Sequence, residues 1–230
     1  MTDKPEWVSG IAGNFPLHKA VADLLRLFGC LSSAQWTRII SSETCGISAW
    51  TKTAKIYVVL PDETPKRHFL KCATGKGAKP LTEGEYRSAI DINNVISGLV
   101  PKPAGRGEYH NGETQVYFFL GDYHDMDFSV PPEPAEFMGK IAELHQKGGA
   151  PNGLFGYHVP TAIGILERTV VWEESWAKSL THQVKDAIIW NNDTNGPRPE
   201  YDAACQQLFD VVIPRLLGVL QSDGWTITRS

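Results

Sequence analysis

The sequence has 230 residues, of which 42% are hydrophobic and 21% charged, with a formal net charge of −4. That composition suits a folded chain with a sizeable core, and it excludes the basic face that nucleic-acid binding requires. Four cysteines (Cys30, Cys45, Cys72 and Cys205) form no C-x-x-C pair and no disulfide framework, which predicts reduced thiols in a cytoplasmic protein.

The polar opening Met1-Thr2-Asp3-Lys4-Pro5-Glu6 lacks an apolar h-region, so no secretory signal is expected. No apolar run approaches the ~20 residues of a membrane-spanning helix. From Leu17 to Phe28, Leu17, Ala20, Val21, Leu24, Leu25 and Phe28 fall on one helical face, with Pro16 suited to the first turn and Gly29 to the stop. Residues 36–42, 52–60 and 66–73 then read as short strands of an antiparallel meander, separated by Cys45-Gly46 and by Pro61 to Pro65. After a loop at Gly75 to Pro80, the spacing predicts a helix from Thr82 to about Ser97, with Thr82 and Glu85 forming a capping box. Leu99 to Pro103 leads into a turn, and Gln115 to Leu120 reads as a buried strand. Gly121 to Pro134 reads as a linker.

Beyond it the pattern is mostly helical: Ala135 to Gln146, Val171 to Trp190, and Tyr201 to Leu220, the last kinked or divided at Pro214. Lys147 to Gly164 is rich in Gly and Pro and is expected to be irregular. The order predicts an α+β chain, a β-rich lobe over 1–123 followed by a helical lobe over 124–230.

The chemistry-bearing residues lie in the first lobe. A loop between early strands, Gly46-Ile47-Ser48-Ala49-Trp50-Thr51, can approach phosphates closely. Lys71, set in the apolar strand Phe69-Leu70-Lys71-Cys72-Ala73, can neutralise them, and a helix glutamate can hold the lysine. Glu85 reads as that partner or as the capping residue, and Glu83 competes for the same ion pair. Asp122, Asp125 and Asp127 read as turn caps or solvated carboxylates rather than metal ligands. His145 reads as a buried, hydrogen-bonded residue. Trp172 and Trp176, at i, i+4 spacing, read as a core pair.

Taken in order, Trp50 to Ile56, Phe69 to Ala73, Gly84-Glu85-Tyr86, Leu99 to Pro103, Tyr117 to Leu120, Asp125-Met126, Leu144-His145, Pro151 to Gly156, Trp172 to Trp176 and Ile213 to Leu217 resemble the fungal branch of the fructosamine-3-kinase (protein-ribulosamine 3-kinase) family. The resemblance covers nearly the whole chain. It implies a protein-kinase-like, aminoglycoside-phosphotransferase-like fold. It also implies use of ATP and Mg2+ to phosphorylate the 3-hydroxyl of ketosamines on glycated protein lysines or small amines. Carried over by motif, Lys71 would contact ATP phosphates and Glu85 would pair with it. Gly46, Ser48 and Thr51 would lie over the nucleotide, and Phe119, Leu120, Asp122 and Tyr123 would form the hinge beside the adenine. The family's His-Gly-Asp-Leu-Trp catalytic loop is not found: its lead-in Leu220-Gln221-Ser222-Asp223-Gly224 is followed by Trp225 to Ser230. The sequence therefore predicts a C-terminally truncated helical lobe, no catalytic aspartate, no magnesium ligand and negligible turnover. A non-catalytic binding module derived from a ketosamine kinase is the alternative expectation.

Overall fold

The computed structural model describes residues 11–27, 37–127 and 129–222. Met1 to Glu6, Phe28, Gly29, Cys30, Trp36 and the stretch 223–230 lie outside the described residues. The chain divides into two units, Met1–Val130 and Pro131–Ser230.

In the first unit, helix α1 (Lys19–Leu27) precedes strands β1 (Arg38–Thr44), β2 (Thr51–Val59) and β3 (Pro65–Thr74). Helix α2 (Ala78–Val95) and strands β4 (Pro103–Asn111) and β5 (Thr114–Asp122) follow. The five strands make one antiparallel sheet in the order β1-β2-β3-β5-β4. Alternation sorts each strand into two faces. Ala54, Ile56 and Val58 on β2, Leu70 and Cys72 on β3, and Val116, Phe118 and Leu120 on β5 share a core with Leu17, Val21, Ala22 and Leu25. Each fully buried Leu or Val there stabilises the fold by roughly 1.5–3 kcal/mol. The opposite face carries Thr53, Lys55, Phe69, Lys71, Arg106 and Phe119, and it is the face that α2 meets.

Helix α2 starts earlier than the sequence predicts. It runs from Ala78, and Gly77, in the left-handed region at φ 80°, caps it without a side-chain hydrogen bond. Pro80 sits inside the first turn, where backbone N–H groups have no helical acceptor and a missing one costs nothing. The capping box is therefore absent. Thr82 lies within the helix, its Oγ1 donating to the carbonyls of Ala78 and Lys79.

Strand β4 is an element the sequence reading leaves out. Pro103-Ala104-Gly105-Arg106-Gly107-Glu108 carries no apolar alternation, yet it pairs with β5 along its length. Its glycines are there for packing. A Cβ on Gly105 would come within 2.6 Å of Leu24 Cδ2, and one on Gly107 within 2.7 Å of the Phe118 ring. The strand is an edge, so it needs only one well-packed neighbour.

The second unit contains α3 (Pro134–Lys147), a short hairpin β6 (Thr161–Ile163) and β7 (Leu166–Arg168), α4 (Trp176–Asn195), α5 (Pro199–Gln207) and α6 (Ile213–Ser222). Helix α4 begins five residues later than the periodicity suggests. Ser175 is its N-cap, accepting from the Lys178 N–H, while Glu173 pairs its backbone with Phe155. Trp172 is thus outside the helix, so the i, i+4 helical spacing expected with Trp176 does not apply. His145, at the end of α3, is exposed rather than buried. The division expected at Pro214 appears as a π-helical turn over Leu208–Val212, between α5 and α6. A proline at 214 leaves the Asp210 carbonyl without its donor and crowds it, and a widened turn relieves both.

Candidate nucleotide site

The site lies wholly within the first unit. On β3, Leu70 and Cys72 point into the core, so alternation forces Lys71 to the other face. There it sits in register between Thr53 of β2 and Phe119 of β5. From α2, the Glu85 carboxylate reaches it, both oxygens standing 2.7 Å from Lys71 Nζ. The two side chains are 23% and 33% exposed, so the pair is shielded but reachable from solvent. Glu83 does not compete. It faces β4 and holds Arg106 at 2.7 Å.

The loop between β1 and β2 is tied at its base. Cys45 N–H donates to the Thr53 carbonyl at 3.0 Å, and Thr53 Oγ1 donates back to the Cys45 carbonyl. Gly46 takes φ 74°, a left-handed conformation that a glycine adopts without strain. Ser48 Oγ then accepts from Thr51 Oγ1 at 2.8 Å and from the Thr51 N–H at 3.2 Å, closing the turn into β2. Ile47 and Trp50 project outward, the former fully exposed.

The residues expected at the hinge divide. Leu120 is fully buried and belongs to the α1-facing core, so its side chain is not available to a ligand. Phe119, on the Lys71 face, is buried beside Gly121. Asp122 ends β5 and is held by Lys66 at 2.8 Å. Tyr123 continues the pairing through its N–H to the Arg67 carbonyl, and its hydroxyl stands 4.0 Å from Cys45 Sγ. Asp125 binds Arg67 at 2.7 Å, and Asp127 accepts from the Ser129 N–H and hydroxyl. These carboxylates serve ion pairs and turns, and among the described residues no group of three His, Cys, Asp or Glu side chains could hold a metal ion.

A cationic and aromatic cluster around Tyr123 was not singled out from sequence. Lys55 Nζ lies 4.7 Å from the Tyr123 ring centroid and 5.4 Å from that of Tyr57, and Arg67 stacks on Tyr123 at 5.3 Å. Tyr57 donates to Glu43 at 2.7 Å, and Glu43 lies 3.5 Å from Lys55. The hydrogen bond with Tyr57, followed by its charged neighbours, raises the Lys55 pKa and keeps the ammonium charged. The signal was present in the alternation: 53, 55 and 57 on β2 and 67, 69 and 71 on β3 share one face. The cluster ties the base of the Cys45–Thr51 loop to the end of β5. Chemically, the face offers a fixed cation, a tight loop and aromatic walls, which is a set suited to a phosphorylated, flat ligand.

The fructosamine kinase family profile matches residues 48–211. Among solved structures, the chain is similar to a candidate fructosamine-3-kinase from Haemophilus somnus 129PT, with 17% identity and a TM-score of 0.58 over 87% of this chain and 60% of that one. A candidate fructosamine-3-kinase from Thermobifida fusca YX-ER1 gives 18% identity and a TM-score of 0.61 over 84% of this chain and 61% of that one. No curated protein matches the sequence. The chain thus spans about 60% of the length of the solved structures it resembles. Those structures share its α+β, protein-kinase-like fold. The family match covers more than half of the chain, which therefore belongs to the fructosamine kinase family.

Proposed function

We propose that this chain carries the nucleotide-binding half of an ATP-dependent kinase that phosphorylates the 3-hydroxyl of ketosamines on glycated protein lysines. The carrying observation is the two-oxygen contact of Glu85 with Lys71 on the solvent-reachable face of the sheet. An ammonium fixed this way presents its charge in one place, and positioning is most of what this chemistry asks of a protein. Lys71 takes the phosphates and Glu85 orients it. Gly46, Ser48 and Thr51 close over them, with Phe119 and the backbone at Asp122 and Tyr123 beside the base. Residues 1–123 form the nucleotide lobe and 124–230 the helical lobe of a cytoplasmic enzyme; among the described residues no helix is long and apolar enough to cross a membrane.

ATP, when bound, supplies the phosphoryl group. The Lys71 face fits it. The described carboxylates do not fit magnesium, since Asp122 and Asp125 are already engaged by Lys66 and Arg67, and no step is assigned through the ion. These 230 residues contain no His-Gly-Asp to accept the sugar proton. General-base help alone contributes ~10²–10⁴ in rate. The chain by itself is therefore expected to bind ATP without turnover. Titration calorimetry with ATP tests this: saturable binding that falls at least about tenfold in Lys71→Met supports the reading. ADP release from ATP, Mg2+ and ribuloselysine would contradict the predicted inactivity.

A second reading, a non-catalytic binding module, draws on the helical unit. Phe137, Met138, Ile189, Trp190 and Leu216 are exposed there, and α3 buries no residue. The reading rests on these exposed apolar side chains, which a partner could cover. Capture of glycated protein by the chain, unaffected by Lys71→Met, would favour this second reading.

A further inference from the structure

Two ion pairs anchor α2 over the sheet, on different sides of the helix. Lys71, Phe119 and Arg106 lie in one row across β3, β5 and β4. Glu85 reaches the first of these residues and Glu83 the last. Beside the Glu83–Arg106 pair, α2 and the β4–β5 ribbon enclose a cavity of about 260 Å3, and neither Lys71 nor Glu85 lines it. Lys79 and Thr82 border it from the helix, Arg106 and Glu108 from β4, and Tyr117 from β5. Alternation explains the strand side: 106, 108 and 117 fall on the face that α2 covers, while Gly105, Gly107 and Phe118 turn to the core. The volume is below the ~300–1,000 Å3 of pockets for drug-sized ligands, which suits a molecule the size of an amino acid.

The charges on its walls decide what the cavity can hold. Arg106 and Glu83 neutralise each other at 2.7 Å. Thr82 uses its hydroxyl inside the helix. Lys79, on the helix wall, and Glu108, on the strand wall, have no ion-pair partner among the described residues, and they do not pair with each other. The Tyr117 hydroxyl makes no hydrogen bond among the described residues either, and its ring is half-buried. A simple anion attracted by Lys79 would be repelled by Glu108, and a simple cation would meet the reverse. A molecule with one charge of each sign satisfies both walls. We propose that this cavity is a binding site for a small zwitterion of the free amino-acid class, its carboxylate on Lys79, its ammonium on Glu108 and its side chain against the Tyr117 ring. The site shares no residue with the nucleotide site and does not depend on that reading.

The test is calorimetric titration of the 230-residue chain, without nucleotide, with L-alanine, L-leucine and L-lysine. Saturable binding of at least one is expected. For the tightest of them, the N-acetyl derivative, which lacks the ammonium, and the amide, which lacks the carboxylate, should each bind about tenfold more weakly or worse. Lys79→Gln and Glu108→Gln should each lower its affinity about tenfold. Both side chains are exposed, so neither change should disturb the fold. Lys76→Gln, at an exposed lysine outside the cavity, should leave affinity within about twofold. The charge exchange Lys79→Glu with Glu108→Lys should recover most of the loss, because the zwitterion can bind reversed. On the unmodified chain, the same amino acid should shift the amide NMR signals of residues 79–83 and 106–108. No saturable binding by any of the three, derivatives that bind as well as the parent, or affinity indifferent to both Lys79→Gln and Glu108→Gln would overturn the site.

Discussion

Glu83 and Glu85 stand two residues apart on one helix, and about 200° of helical rotation separates them. That angle gives Glu85 to Lys71 and Glu83 to Arg106. The sequence could name both partners for Lys71 but could not choose, because the choice depends on which way α2 faces the sheet. Glu85→Gln is expected to lower ATP affinity about tenfold, whereas Glu83→Gln should leave it within twofold and cost about 1 kcal/mol or less of stability, as a partly exposed pair does. Leu120 shows the opposite limit. Alternation within β5 assigns it to the core, and the motif carried over from the resemblance ignores that parity. His68 adds a pH dependence. It is 1% exposed, and burial, followed by the Lys66 charge, lowers its pKa from 6.5 to about 4, against the opposing pull of Asp122. The folded chain keeps the ring neutral, while the unfolded chain takes up a proton near pH 6.5. Stability is therefore fully present above that pH and is lost as pH falls towards about 4, by about 3 kcal/mol. Urea unfolding between pH 7 and 4 should show this decline, and in His68→Phe the decline should shrink by a similar amount.

At the scale of elements, four strands and α1 were legible because apolar periodicity is written in side chains. β4 was not, because its fit is written in missing side chains. Gly107→Ala places a methyl against Phe118, which is 2% exposed, and is expected to destabilise the fold by about 1–3 kcal/mol. Gly139→Ala is the matched control: nothing lies within 4 Å on α3, and alanine should stabilise by roughly 0.5–1 kcal/mol. Thermal or urea melts of the two variants should move in opposite directions. The start of α2 was displaced in the sequence reading by assigning Gly75 to Pro80 to a loop and the helix start to a capping box at Thr82 and Glu85, although Pro80 is compatible with the helix. In a first turn it breaks no hydrogen bond. The kink at Pro214 was foreseen, but its form as a π-helical turn was not, since periodicity alone cannot tell which way a helix yields.

For the whole molecule, the order of strands, helix and later helices led to the α+β fold, and the resemblance led to the family that the profile identifies. What the sequence could not supply is the cross-element geometry that turns a lysine in an apolar strand into an ordered cation. The chain covers about 60% of the solved structures it resembles, and the nucleotide site proposed here falls entirely in the first unit. The central claim is that Lys71 and Glu85 act as one device for holding ATP. A double-mutant cycle on ATP affinity measures this most directly, using Lys71→Met, Glu85→Gln and the combined variant. The expected result is strong non-additivity: each single change lowers affinity about tenfold, and the double change lowers it little further. Additive losses, or ATP affinity that neither change alters, would contradict the claim.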